Sequence, residues 1–133
     1  MRPLILESGV IAAAEVTILK TDVIGPGQIF NCLAAMAMDE TTQIATRIEI
    51  GIFSGTRLIP IDATAGAFAA GVSHTIYWPF AIPAGCGVYA KFVTPTAGDQ
   101  LRLVATGVVG PVADIGRDRF MGDRAADHPT RRL

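Results

Sequence analysis

The chain has 133 residues, enough for one domain with a real core. Half are apolar, 17% are charged, and the formal net charge is −1. That balance excludes the basic footprint of a nucleic-acid binder, and no run nears the roughly 18 apolar residues of a membrane span. A mean hydropathy of +0.43 leaves an apolar surplus suited to contact with protein rather than lipid.

The N-terminus, MRPLILESGVIAAAEV, carries one Arg and a short apolar run broken by Glu7. A signal peptide needs a longer uninterrupted run. The protein is therefore expected to act in the cytoplasm where it is made, or to leave the cell by lysis or within an assembly. Leu4–Leu6 reads as a short edge strand or an arm docking on a neighbour. Ile11–Lys20 reads as a strand past Ala12–Ala14, with Val16 and Ile18 on one face and Glu15, Thr17 and Leu19 on the other. Gly25-Pro26-Gly27 breaks the chain.

Gln28–Met38, QIFNCLAAMAM, is apolar on both alternating faces. Phe30, Cys32, Ala34 and Met36 share one; Ile29, Leu33, Ala35 and Ala37 share the other. Ala, Leu and Met also suit a helix, but Ile-Phe-Asn-Cys directly after Gly27 favours a strand. A strand apolar on both sides needs two covers. The sandwich core supplies one, and a neighbouring subunit is expected to supply the other through Ile29 and Leu33.

Asp39–Gln43 is a polar connection. Arg47–Phe53 is the clearest strand, with Ile48, Ile50 and Ile52 alternating with Arg47, Glu49 and Gly51. Ser54-Gly55 turns it into Thr56–Ile61, so Arg47–Ile61 forms a hairpin. Asp62–Gly71 reads as a loop across the end of the sandwich.

Ser73–Val93 holds the only Trp and both Tyr. Its first half alternates Ile76, Trp78 and Phe80 against Thr75, Tyr77 and Pro79. Pro83-Ala84-Gly85 supplies a turn, and a second strand sets Val88, Ala90 and Phe92 against Tyr89, Lys91 and Val93. The turn Thr94–Asp99 leads into a last strand, Gln100–Val109, whose Leu101, Leu103 and Ala105 face one way. About eight short strands at regular spacing predict an all-β fold: an antiparallel β-sandwich or jelly roll with extended termini. The expected division is an N-terminal arm over 1–9, a sandwich over 10–110 and a polar C-terminal tail over 111–133. The tail mixes four Asp with five Arg between Asp114 and Arg132 and suits neither nucleic acid nor membrane. Phe120 and Met121 are its candidate anchors on a partner.

No chemistry-bearing constellation stands out, so no catalytic, metal or cofactor site is assigned and no enzyme activity is expected. His74 shares a face with apolar neighbours and His128 lies in the tail. Cys32 and Cys86 are isolated, either bridged if strands bring them together or buried free thiols. Asp118, Asp123 and Asp127 do not follow a calcium-loop pattern. Glu7, Glu15 and Glu49 read as solvated strand faces rather than an acid–base pair. Tyr77 and Tyr89 lie opposite their strands' core face, as sheet-stabilising aromatics or a sugar platform.

Trp78-Pro79-Phe80, Ile82-Pro83-Ala84-Gly85, Tyr89-Ala90-Lys91-Phe92, Pro95-Thr96-Ala97-Gly98-Asp99 and the closing strand Leu101–Val109 together give the chain an ending that resembles the small jelly-roll structural proteins of tailed-bacteriophage virions. The resemblance covers Val10–Val109. It implies a head decoration, or cement, protein, a homotrimer seated over junctions of the major capsid protein or other virion subunits, with terminal arms reaching onto neighbours. The alternatives are a tail-fibre, spike or lectin-like recognition module and a tail or neck connector subunit.

Overall fold

The structure, a computed structural model, describes residues 1–13, 16–42, 47–64 and 71–112. Nine strands run through them: β1 Arg2–Ile11, β2 Thr17–Lys20, β3 Gln28–Asp39, β4 Ile48–Ser54, β5 Arg57–Ala63, β6 His74–Ile76, β7 Phe80–Pro83, β8 Cys86–Phe92 and β9 Gln100–Pro111. They form two sheets. One has the order β1-β9-β3-β6, with β7 also on β3, and the other the order β2-β8-β4-β5.

This order is that of a ribbon folded in half and then rolled. Along the ribbon β1 pairs with β9, β2 with β8, β3 with β6 and β7, and β4 with β5, all antiparallel. Rolling brings β9 against β3 and β8 against β4. Counting β6 and β7 as one interrupted strand gives the eight-stranded jelly roll expected from the spacing of strands and turns. The expected boundary between arm and sandwich, at residues 9 and 10, falls inside β1, which pairs with β9 from Arg2 to Ile11. The expected tail begins at Pro111, the last residue of β9, and residues 113–133 lie outside the described ones.

The core lies between the sheets. Phe30, Ile48, Ile50, Ile76, Ile82, Val88, Ala90, Phe92, Leu101, Leu103 and Ala105 are fully buried there. Each large side chain contributes roughly 1.5–3 kcal/mol by leaving water. The alternation read for β9 holds from Leu101 to Ala105, and in β8 Val88, Ala90 and Phe92 line the core as read, although Tyr89 on the other side is buried as well. The β4–β5 hairpin also forms as expected, with Ser54 opposite Arg57 and Gly55 at φ 60° in a two-residue turn.

The alternation read for Ile18 and Leu19 holds, and two other expectations about faces are corrected. In β2 the buried side is that of Leu19, which pairs beside Ala90 of β8, while Ile18 and, just before the strand, Val16 are exposed. In β3 the register on β9 slips between Cys32 and Ala34, leaving Leu33 without a partner. This bulge reverses the alternation. Phe30 and Cys32 face the core before it and Ala35 and Ala37 after it, so Ala34 and Met36 turn outward. Gly107, opposite Cys32, permits this. A Cβ on it would lie 2.1 Å from the Asn31 carbonyl oxygen.

The second correction concerns residues 74–83, which make two strands and not one. Tyr77–Pro79 interrupt them, and Trp78 is exposed instead of sharing the buried side of Ile76. The Pro83-Ala84-Gly85 turn carries the chain from one sheet to the other, so β7 and β8 are not hydrogen-bonded neighbours.

Candidate interaction surface

The outward side of the five-stranded sheet is built by the residues that alternate with the core. On β1 these are Pro3, Ile5 and Glu7. They sit opposite Val108, Thr106 and Val104 of β9. Across β9, the same three residues meet Asn31, Ala34 and Met36 of β3. Ile29, opposite Gly110, and the bulged Leu33 extend the row. Ile5 and Leu33 are respectively 61% and 47% exposed, and Ile29 is half-buried. The sheet is thus apolar on both sides, but only the inner side is covered by described residues.

Charge on this face gathers at one end. Arg102 Nε donates to Glu40 Oε1 at 3.1 Å and Arg102 lies 3.9 Å from the Glu7 carboxylate. The remainder carries no ion pair among the described residues. Of the four expected contact residues, Ile29 and Leu33 fall on this surface. Phe120 and Met121 lie outside the described residues.

Beyond that end lies a buried acidic pair. Asp39 closes β3 and Asp99 precedes β9, and both are almost fully buried. The Thr41 and Thr42 amides donate to Asp39 Oδ1 at 2.9 and 3.2 Å, and the Thr42 hydroxyl donates to Asp99 Oδ2. Burial, first, and the neighbouring Asp99 carboxyl, second, push the Asp39 carboxyl above its ordinary value. The pair ties the end of β3 to the start of β9. Sequence reasoning passed over both residues as turn acids, since a loop Asp carries no sign of burial.

The remaining titratable candidates are structural. Tyr89, weighed as a surface aromatic, is fully buried over Gly51 and donates its hydroxyl to Glu49 Oε2 at 2.5 Å. Burial and that carboxylate raise its pKa. Glu7 and Glu49 stand in different sheets, so they form no acid–base pair, and Glu15 is outside the described residues. His74 Nε2 lies 3.3 Å from Asp62 Oδ2 and links β6 to β5. Burial lowers its pKa while Asp62 opposes the shift. Cys32 and Cys86 are both free, one in each sheet. Burial pushes the Cys32 thiol up to about 11, which leaves it a packing group and a poor nucleophile at neutral pH. Tyr77 and Trp78 are exposed side by side in the β6–β7 interruption.

No family model matches this chain, and no curated protein does. Among solved structures it is similar to a Bacillus endospore appendage, a disulfide-linked pilus, at 15% identity and a TM-score of 0.43, over 84% of this chain and 91% of that one. It is similar to FlhE at 12% identity and a TM-score of 0.39, over 79% and 96%. A chain of the infectious bursal disease virus Gx strain matches at 13% identity and a TM-score of 0.36, over 81% of this chain and 31% of that one. Likeness this loose assigns no function.

Proposed function

We infer that the protein is a non-enzymatic structural module that works by burying the outer face of its five-stranded sheet against other protein. Its setting on this reading is a virion, where it decorates or cements a phage head. The observation that carries the reading is the apolar row Ile5, Leu33, Ala34 and Met36 on a sheet whose inner side is already filled. Apolar area of this kind supplies binding free energy without directional chemistry. The C-terminal segment, with Phe120 and Met121 as anchors, is the arm that reaches a neighbouring subunit. The resemblance of residues 10–109 to virion jelly rolls supports the particle as the setting.

The test is sedimentation of the full chain with decoration-free phage heads. Wild-type protein is expected to pellet with the heads, and Leu33→Asp/Met36→Asp is expected to stay in the supernatant while remaining folded. Equal pelleting of both would remove the sheet face from the reading. Failure of the wild type to pellet would remove the virion.

A second reading has one observation behind it. Tyr77 and Trp78 are 79% and 49% exposed. Adjacent exposed aromatics suit the apolar face of a sugar ring. A glycan array probed with wild-type protein and Trp78→Ala tests this. Binding lost in the variant would move the function toward recognition.

A further inference from the structure

Four sheet edges exist in this sandwich, and three carry devices against strand pairing. β2 has only four residues and ends in Lys20. β5 contains Pro60 opposite the register shift at Ile50 and Gly51. The edge formed by β6 and β7 is interrupted at Tyr77–Pro79. Short strands, prolines and irregularities are the usual guards of an exposed edge. β1 is different. It runs ten residues without a break, has a single proline at Pro3, and exposes Ile5 by 61%, Val10 by 36% and Ile11 by 60%.

Which backbone groups face the open side follows from the ladder. The Ala12 amide donates to the Asp99 carbonyl at 2.7 Å, and the Ala12 carbonyl accepts from Gly98 at 2.9 Å. The register on β9 is unbroken from there to Arg2. Antiparallel ladders alternate, so Val10, Ser8, Leu6 and Leu4 also turn toward β9. Ile5, Glu7, Gly9 and Ile11 therefore offer their N–H and C=O groups outward. Pro3 belongs to the same set and has no N–H to offer.

We propose that β1 pairs antiparallel with β1 of a second copy about a two-fold axis at Ser8, joining two five-stranded sheets into one. A two-fold perpendicular to the sheet keeps outer side chains on the outer face. Each residue must then meet one two, four or six positions away, or itself. Centring on Glu7 sets two carboxylates opposite each other. Centring on Ile5 or Leu6 brings Pro3 into the ladder. Centring on Ser8 spans Ile5 to Ile11 and leaves Pro3 outside. Ile5 then faces Ile11 of the second copy, Leu6 faces Val10, and Glu7 faces Gly9. The three exposed apolar residues of the edge are all covered, and the outward N–H and C=O groups of Ile5, Glu7, Gly9 and Ile11 are all paired. Glu7 keeps Arg102 of its own chain beside it. The contact adds self-association to the structural reading and rests on its non-enzymatic, protein-contacting part alone. It predicts pairs, in place of the trimer implied by the virion resemblance.

The test is light scattering of the full chain over a range of concentrations, with charge substitutions at facing positions. Wild-type protein is expected as a dimer. Ile5→Lys/Ile11→Lys places lysine opposite lysine twice, and its dimer dissociation constant is expected to rise by about tenfold or more. Ile5→Lys/Ile11→Glu places lysine opposite glutamate twice and is expected to recover most of that loss. Circular dichroism checks that both variants fold. A monomeric wild type, a trimer indifferent to the lysine pair, or absence of recovery in the Lys/Glu variant would each overturn the proposal. Sedimentation with heads separates the two readings. A dimer that ignores heads leaves the edge contact and removes the virion, while a monomer that binds heads does the reverse.

Discussion

Thr42 bridges two buried carboxyls, its amide donating to Asp39 Oδ1 at the end of β3 and its hydroxyl to Asp99 Oδ2 just before β9. Burial, first, and the neighbouring Asp99 carboxyl, second, favour the protonated form of Asp39. Neither aspartate takes part in an ion pair among the described residues, and Arg102 is engaged by Glu40.

The sign of the resulting pH dependence is fixed. Asp39 has a raised pKa in the folded state against an ordinary value of 3.8. Its contribution to stability is fully present below that ordinary value and is lost as pH rises through the raised one. Asp39→Asn keeps the acceptor for the Thr41 and Thr42 amides and removes a buried ionisable group from beside Asp99. It is expected to stabilise the protein at pH 7 by roughly 1–2 kcal/mol and to flatten that limb of the curve. Urea unfolding from pH 4 to 8 checks both. A less stable variant with an unchanged pH profile would show that the fold does not favour a protonated Asp39.

His74 works in the other direction. Its pKa is lowered from 6.5, so the neutral ring is favoured in the fold. That contribution is present above 6.5 and lost as pH falls through the lowered value. His74→Gln is expected to remove an acid-side loss of stability without touching the Asp39 limb. The same unfolding series resolves the two, because their limbs slope oppositely.

Much of this architecture is legible in the residues. Ile48, Ile50, Val88, Ala90, Phe92, Leu101 and Leu103 alternate cleanly, and Gly55 marks its hairpin. What the alternation cannot carry is a change of phase. Nothing in QIFNCLAAMAM says that Leu33 is extra, because Ala and Leu are acceptable on either face. The signal lies in Gly107, on a strand distant in sequence. Likewise Tyr89 reads as a surface aromatic until Gly51 is seen opposite it, where a Cβ would fall 2.7 Å from the ring. Of the candidate surface, Ile29 and Leu33 were visible, whereas the open β1 edge required knowing which strands end each sheet.

The bulge gives a prediction of its own. Gly107→Ala forces a methyl into the Asn31 carbonyl and is expected to destabilise by about 3 kcal/mol, at the upper end of overpacking penalties. Gly25→Ala has nothing within 4 Å of the added Cβ and is expected to change stability by less than about 0.5 kcal/mol. Thermal unfolding of the pair distinguishes backbone crowding from a general cost of losing glycine. Equal losses would mean that the bulge closes less tightly than described.

The final prediction concerns the C-terminal segment. The described contacts of β9 end with the Val112 amide donating to the Gly27 carbonyl at 3.1 Å, just after the last pairing, Gln28 with Pro111. Truncation after residue 112 keeps every one of those bonds and every buried core residue among the described ones. The shortened chain is expected to unfold cooperatively within about 1 kcal/mol of the full one. If residues 113–133 act as an arm, the truncation weakens attachment to heads while leaving the light-scattering mass unchanged, because the β1 edge is intact. A truncated chain that no longer folds would place Phe120 and Met121 in the core of the subunit and end their role as anchors on a neighbour. Unchanged attachment would end it as well, and would leave the sheet face as the binding surface.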